Sequence, residues 1–350
     1  MRAYTRCGGA PASPAPAPRA SLLHVAFALL LPLSRAAAIP LTGYLCASCP
    51  SAPTPNSLVA NIHASYTTVI FAFAGWDDSG AVINQWDEPE KNFTLTRATV
   101  AALQAQGRAV LLSLGGGAGN VLPGPPAAGW AATLTRNLLA VAGALGLDGF
   151  DFDVENFGGS ALEGMAGLRA VVAGLRAAPG GGKLRLTCAP QMTDVFPDYP
   201  SFTPGFNRYA PLLEAGTLPL IDAVMPQMYN SWAQVETLAY AKTYAGELVK
   251  GFVVAGAGPA PLNVTIPPEK LWLGFPASRA AAGSGFISPP DVAAAVKAWA
   301  AAGLRIAGLM TWSIGEGCVF CCGARRARAR NPSLFLIPPP PYFPPFFKTQ

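Results

Sequence analysis

The sequence predicts an α/β fold, and within that class a (β/α)8 TIM barrel, on three observations. Between residues 41 and 312, short β-rich apolar runs alternate with longer Ala/Leu-rich stretches of helical period. Eight such runs can be counted over a span of about 270 residues, and a barrel of this kind typically takes ~250. No GxGxxG follows the first run, which weakens the main rival, a doubly wound open sheet built around a dinucleotide.

The runs, in order, are LTGYLC (41–46), TTVIFAFA (67–74), AVLLSLG (109–115) and LDGFDFDV (147–154), then KLRLTCAP (183–190), IDAVMPQM (221–228), LWLGFP (271–276) and RIAGLMTW (305–312). Helices are predicted between them at 94–106, 128–145, 160–178, 232–249 and 290–302. After Trp312 both periods fail, so a last helix covering the eighth strand is not legible. The chain therefore divides into a signal or targeting segment at 1–38, a (β/α)8 catalytic domain at 39–317 and an irregular basic, Pro-rich tail at 318–350.

Charge sharpens that division. Nine of the 24 basic residues lie in the two ends, which carry no acid, leaving 15 bases against 19 acids in the body, a net of −4. A mildly acidic body offers no basic face to a phosphate backbone, so nucleic acid is not an expected partner. In the leader, Arg2, Arg6 and Arg19 precede the apolar run LLHVAFALLLPL, which ends in small residues at SRAAAIP. The pattern is that of an export signal and implies secretion, with no membrane attachment after cleavage; an organellar transit peptide is the alternative. The run is short for a membrane span and contains Pro32. Sequons at Asn92 and Asn263 fit export but also arise by chance. Cys46 and Cys49, in CASC, are read as a local disulfide or a buried strand cysteine. With only His24 and His63 in the chain, no metal site is expected.

The chemistry concentrates in GLDGFDFDVENFG, residues 146–158. On a strand, Asp151, Asp153 and Glu155 share one face while Phe150, Phe152 and Val154 share the other. In a barrel the apolar face packs on the helices and the acids enter the lumen, with Glu155 at the C-terminal rim where catalytic residues of such barrels sit. Crowded carboxylates raise at least one pKa, and a carboxyl that keeps its proton near neutrality is what a general acid needs. A polar strand end or a calcium loop would also be acid-rich. Calcium loops, however, interleave Asp and Asn with Gly and flexible polar residues, whereas two phenylalanines and a valine argue for a fixed strand.

DGFDFDVE matches the D-G-x-D-x-D-x-E signature of family 18 glycoside hydrolases, the chitinases and their relatives. Other segments resemble that family in the same order. SLGGG (113–117) resembles its strand-three S-x-G-G, and LTCAPQM its strand-five segment, with Gln191 where many members have Glu. MPQMYN resembles the Q-x-Y-N of the plant class III and several bacterial branches, GLMTWS the strand-eight segment, and GFPASRAAAGSGF the segment after strand seven. The resemblance covers roughly residues 41–315.

It implies retaining hydrolysis of β-1,4-linked N-acetylglucosamine polymers without cofactor, the substrate's own acetamido group attacking C1 to give an oxazolinium ion. Glu155 would protonate the leaving oxygen, Asp153 would orient the acetamido group, Asp151 would share protons with Asp153, and Tyr229 would donate to the acetamido oxygen. Trp312 would floor the cleft, with Phe73, Gln227, Asn230 and Trp232 as further sugar-binding positions. Asp148 departs from the alternation and is expected to anchor the strand. Trp76 is read equally as a subsite or as loop packing. The segment after strand seven is too short for the family's α+β insertion, which implies a shallow groove, endo-type cutting and a protein acting as a monomer on chitin oligosaccharides. An endo-β-N-acetylglucosaminidase of N-glycans and a non-catalytic chitin-binding lectin are the alternatives on the same barrel.

Overall fold

The computed structural model of the chain describes residues 39–46, 61–84, 95–117, 120–230 and 236–316. The leader, Cys49, the Asn92 sequon, Trp232 and the tail lie outside them.

Among the described residues, eight strands run parallel in one sheet: β1 (Leu41–Cys46), β2 (Tyr66–Trp76), β3 (Ala109–Gly115), β4 (Gly149–Asp153), β5 (Arg185–Cys188), β6 (Ala223–Val224), β7 (Trp272–Pro276) and β8 (Gly308–Trp312). Consecutive strands pair from β1 to β6. β7 pairs with β8, and β8 returns to β1 through Leu41–Leu309 and Thr42–Met310. The seam between β6 and β7 is closed by parallel bridges at Val224–Leu271 and Gln227–Gly274, with Met228 N donating to Gly274 O at 2.9 Å. The sheet is a closed barrel, and the open doubly wound alternative is excluded.

Outside it lie helices α1 (Arg97–Gln104), α2 (Trp130–Leu145), α3 (Ala161–Ala177), α4 (Ala210–Leu213), α5 (Leu238–Lys250) and α6 (Pro289–Ala301). Their starts follow from local chemistry. Thr96, Ser160, Thr237 and Ser288 each accept a backbone N–H of the first turn through the side-chain oxygen, satisfying donors that no helical carbonyl can reach. The helix predicted from residue 232 accordingly begins at Leu238. Two predicted strands end early for a related reason. The fifth stops at Cys188 and the sixth at Val224, just before Pro190 and Pro226, whose missing N–H interrupts a ladder.

The barrel wall separates two apolar clusters. The outer one, between sheet and helices, includes Val69, Phe71, Leu112, Phe150, Phe152, Val154, Leu168 and Leu175. The inner one is smaller and includes Tyr44, Ile70, Leu111, Met225, Tyr229 and Met310, with Phe73 and Trp312 packed partly against it. At the barrel base, Asp148 Oδ2 accepts from Val110 N at 2.7 Å and from Gln104 Nε2 at 2.9 Å, so it anchors the start of β4 to β3 as expected. Asp222 repeats the device, accepting from Leu186 N at 2.7 Å. Cys46, at the top of β1, is buried and disulfide-bonded.

Candidate active site

The site begins with a close approach. A Cβ at position 149 would lie 1.8 Å from Arg185 O, so only glycine lets β4 enter the sheet against β5. From there the alternation unfolds as the strand period dictates, phenylalanines outward and acids inward.

Asp151 is fully buried and accepts three hydroxyls contributed by three strands. Tyr44 of β1 donates at 2.6 Å, Ser113 of β3 at 2.7 Å and Thr187 of β5 at 2.6 Å. Donors converging from across the barrel place this carboxyl in the lumen. Burial pushes its pKa up, and the three hydroxyls work against that rise.

Asp153 is 3% exposed. Burial raises its carboxyl well above the usual range, and the charges of Glu155 and Asp151 push the same way. Gln227 Nε2 donates to Asp153 Oδ1 at 2.8 Å and to Glu155 Oε1 at 3.2 Å, joining the two acids. Glu155, partly exposed just beyond β4, also accepts from Gln191 Nε2 at 2.9 Å on Oε2.

Glycines bring the neighbouring loop this close. Gly115 has φ +113°, and a Cβ there would meet Asp153 O at 2.2 Å. Gly116 N donates to that same oxygen at 2.7 Å, and Gly117 lies beside Glu155 Oε2. The SLGGG run thus ends β3 and turns the chain past the acidic strand.

Tyr229 is buried, and burial together with Asp153, Glu155 and Asp151 holds its phenol protonated far above its ordinary range, which keeps it a hydrogen-bond donor. Half-buried Trp312 and Phe73 stack at 5.7 Å, and Tyr44 packs on Trp312 at 5.6 Å. Together they form an aromatic floor beside the acids. Asn230 is exposed, and its Oδ1 accepts from Gly283 N at 2.8 Å, tying the loop after β6 to the loop after β7. Trp76 is loop packing: it ends β2, donates Nε1 to Val121 O at 3.0 Å and meets Trp130 edge-on.

Three features were not singled out in the sequence. Tyr44 and Thr187 are ordinary strand residues until the barrel closes on Asp151. Behind Glu155, buried Asp194 is paired with Arg208, whose Nη2 lies 3.0 Å from Oδ2. Desolvation lifts the Asp194 carboxyl to about 6 against the pull of Arg208. The neighbouring Tyr209 hydroxyl donates to Phe152 O at 2.9 Å and accepts from Val154 N at 2.7 Å. Among the described residues no group of His, Cys, Asp and Glu is placed to hold a metal ion.

Fold and site together define a closed (β/α)8 barrel with stacked carboxylates at the mouth of its fourth strand. The chain belongs to the glycosyl hydrolases family 18, whose family model matches residues 47–290. It is 27% identical over 294 residues to "Chitinase Chi52" of Paenibacillus xylanexedens, covering 74% of this chain and 55% of the relative. The chain thus spans about half the length of the curated relatives it first matches. Among solved structures, a family 18 chitinase from Chromobacterium violaceum superposes with a TM-score of 0.64 at 23% identity, covering 80% of this chain and 79% of that one. A xylanase and alpha-amylase inhibitor protein from Scadoxus multiflorus superposes at 0.55 and 20% identity, covering 79% of this chain and 93% of its own. At those identities the likeness establishes the barrel alone.

Proposed function

We propose that the protein hydrolyses β-1,4-linked N-acetylglucosamine polymers with retention, by substrate-assisted catalysis and endo-type cutting, after export from the cell. The observation that carries this reading is the row of three acids on one face, rising from buried Asp151 to partly exposed Glu155, with Asp153 hydrogen-bonded to Glu155 and within electrostatic reach of Asp151.

Glu155, the outermost acid, protonates the glycosidic oxygen. The substrate's acetamido carbonyl then attacks C1, and the oxazolinium ion that results is opened by water, which gives its proton to Glu155. Asp153, hydrogen-bonded to Glu155 and to Gln227, orients the acetamido N–H and offsets the developing positive charge. Asp151 acts on it from below through its charge, held in place by three hydroxyl donors. The Tyr229 phenol donates to the acetamido oxygen. Trp312 and Phe73 supply an apolar floor on which a neutral sugar ring stacks, and Gln227, Asn230 and Trp232 are further sugar contacts.

Glu155→Gln is the test, because it keeps the shape and removes the proton. Loss of a positioned general acid costs at least about 10²–10⁴-fold in turnover. Assayed on an N-acetylglucosamine hexamer, the variant should fall by that much; equal rates for variant and wild type would remove Glu155 from the role.

A further inference from the structure

Glu155 has an amide donor on each of its two oxygens. Gln227 serves Oε1 and is shared with Asp153 and with Ala189 O. Gln191 serves Oε2 alone, at 2.9 Å, and among the described residues that is its side chain's one hydrogen bond. The backbone fixes where this amide sits. Gln191 follows Pro190 beyond β5, bridges to Gln227 in parallel, and its carbonyl accepts Asp194 N at 2.8 Å, the first bond of the turn Met192–Val195. Gln191 is partly exposed.

We propose that Gln191 is a positioning residue that sets the upper pH limit of turnover by donating to Glu155 Oε2. The inference rests on the assignment of Glu155 as the acid. A general acid has to hold its proton before bond cleavage and be ionised after it, and an N–H donor favours the ionised form. Gln227 acts in the same sense on Oε1 but is shared with Asp153, which itself hydrogen-bonds to Glu155. Asp153 lies below it on β4, Asp194 lies on the turn after β5 and is paired with Arg208, and the Tyr229 phenol lies beyond β6. Gln191 is thus the donor through which this acid's balance can be changed without disturbing Asp153.

The test is the pH dependence of kcat/KM on a chitin oligosaccharide for wild type, Gln191→Leu and Gln191→Glu, with Glu155→Gln as baseline and thermal midpoints measured for all four. Leucine removes the donor, and the alkaline limb should move up by about one pH unit. Glutamate adds a negative charge beside Oε2 and should move it further, with midpoints close to wild type in both. A purely structural Gln191 would lower the rate equally at every pH, and limbs that stay in place or move down overturn the proposal. An active wild type, a dead Glu155→Gln and unmoved limbs would sink the Gln191 assignment alone. Full activity in Glu155→Gln would sink the assigned acid, and this inference with it.

Discussion

Asp194 shows how single residues here carry a pH dependence of folding. Its carboxyl titrates at about 6 in the folded protein, against about 3.9 in an unfolded chain. The folded state therefore binds this proton more tightly, and between about pH 4 and pH 6 stability falls as pH rises. Asp151 and Asp153 are raised in the same direction, so the three acids together favour the folded state on the acidic side. Asp194→Asn should flatten the decline across that window by on the order of 2–3 kcal/mol, read from thermal denaturation at several pH values. An unchanged slope would mean that Arg208 holds Asp194 ionised throughout. The site's legibility also divides residue by residue. Asp151, Asp153 and Glu155 could be read because they share a strand and a period of two. Tyr44 and Thr187 could not, because each lies far along the chain from the carboxylate it serves, and hydroxyl residues are common in strands.

At the scale of elements, β4 is the member that everything else positions. Its base is tied to β3 through Asp148, and its end is tied through Tyr209 to the segment that follows β5. That phenol bridges the carbonyl of Phe152 and the N–H of Val154, on either side of Asp153. Tyr209→Phe keeps the ring but removes the Val154 N–H's partner, while Phe152 O keeps the N–H of Ala189 at 3.1 Å; a buried donor left unpaired costs about 1–3 kcal/mol. The denaturant midpoint should fall accordingly, and turnover should fall with it while KM changes little; an unaffected midpoint would mean that other contacts hold the strand end. Most elements were legible in the sequence because their periodicity is strong: β1 and β3 have the predicted bounds. The ends of β5 and β6 were not, because apolar character runs on through Pro190 and Pro226 while the ladder does not.

For the whole molecule, the connection from β7 to α6 bears directly on how substrate is met. It runs only from residue 277 to 288, leaving no room for an extra domain to wall the mouth. On the proposed reading, a cleft open on that side would admit a polymer anywhere along its length. Early products from a long N-acetylglucosamine oligomer should therefore be a spread of sizes, followed by chromatography of a time course. Disaccharide alone from the first minutes would count against an open groove.

The two apolar clusters on opposite sides of the barrel wall have a further consequence. The acids touch hydroxyls and amides inside the lumen, whereas the helices are gripped from the other side by Phe150, Phe152 and Val154. The proposed chemistry and the architecture are thus carried on opposite faces of the same six residues, 150–155. A Glu155→Gln protein should stay folded and still present an intact sugar-binding floor, making it a silent receptor suited to capturing an uncleaved oligosaccharide for crystallography.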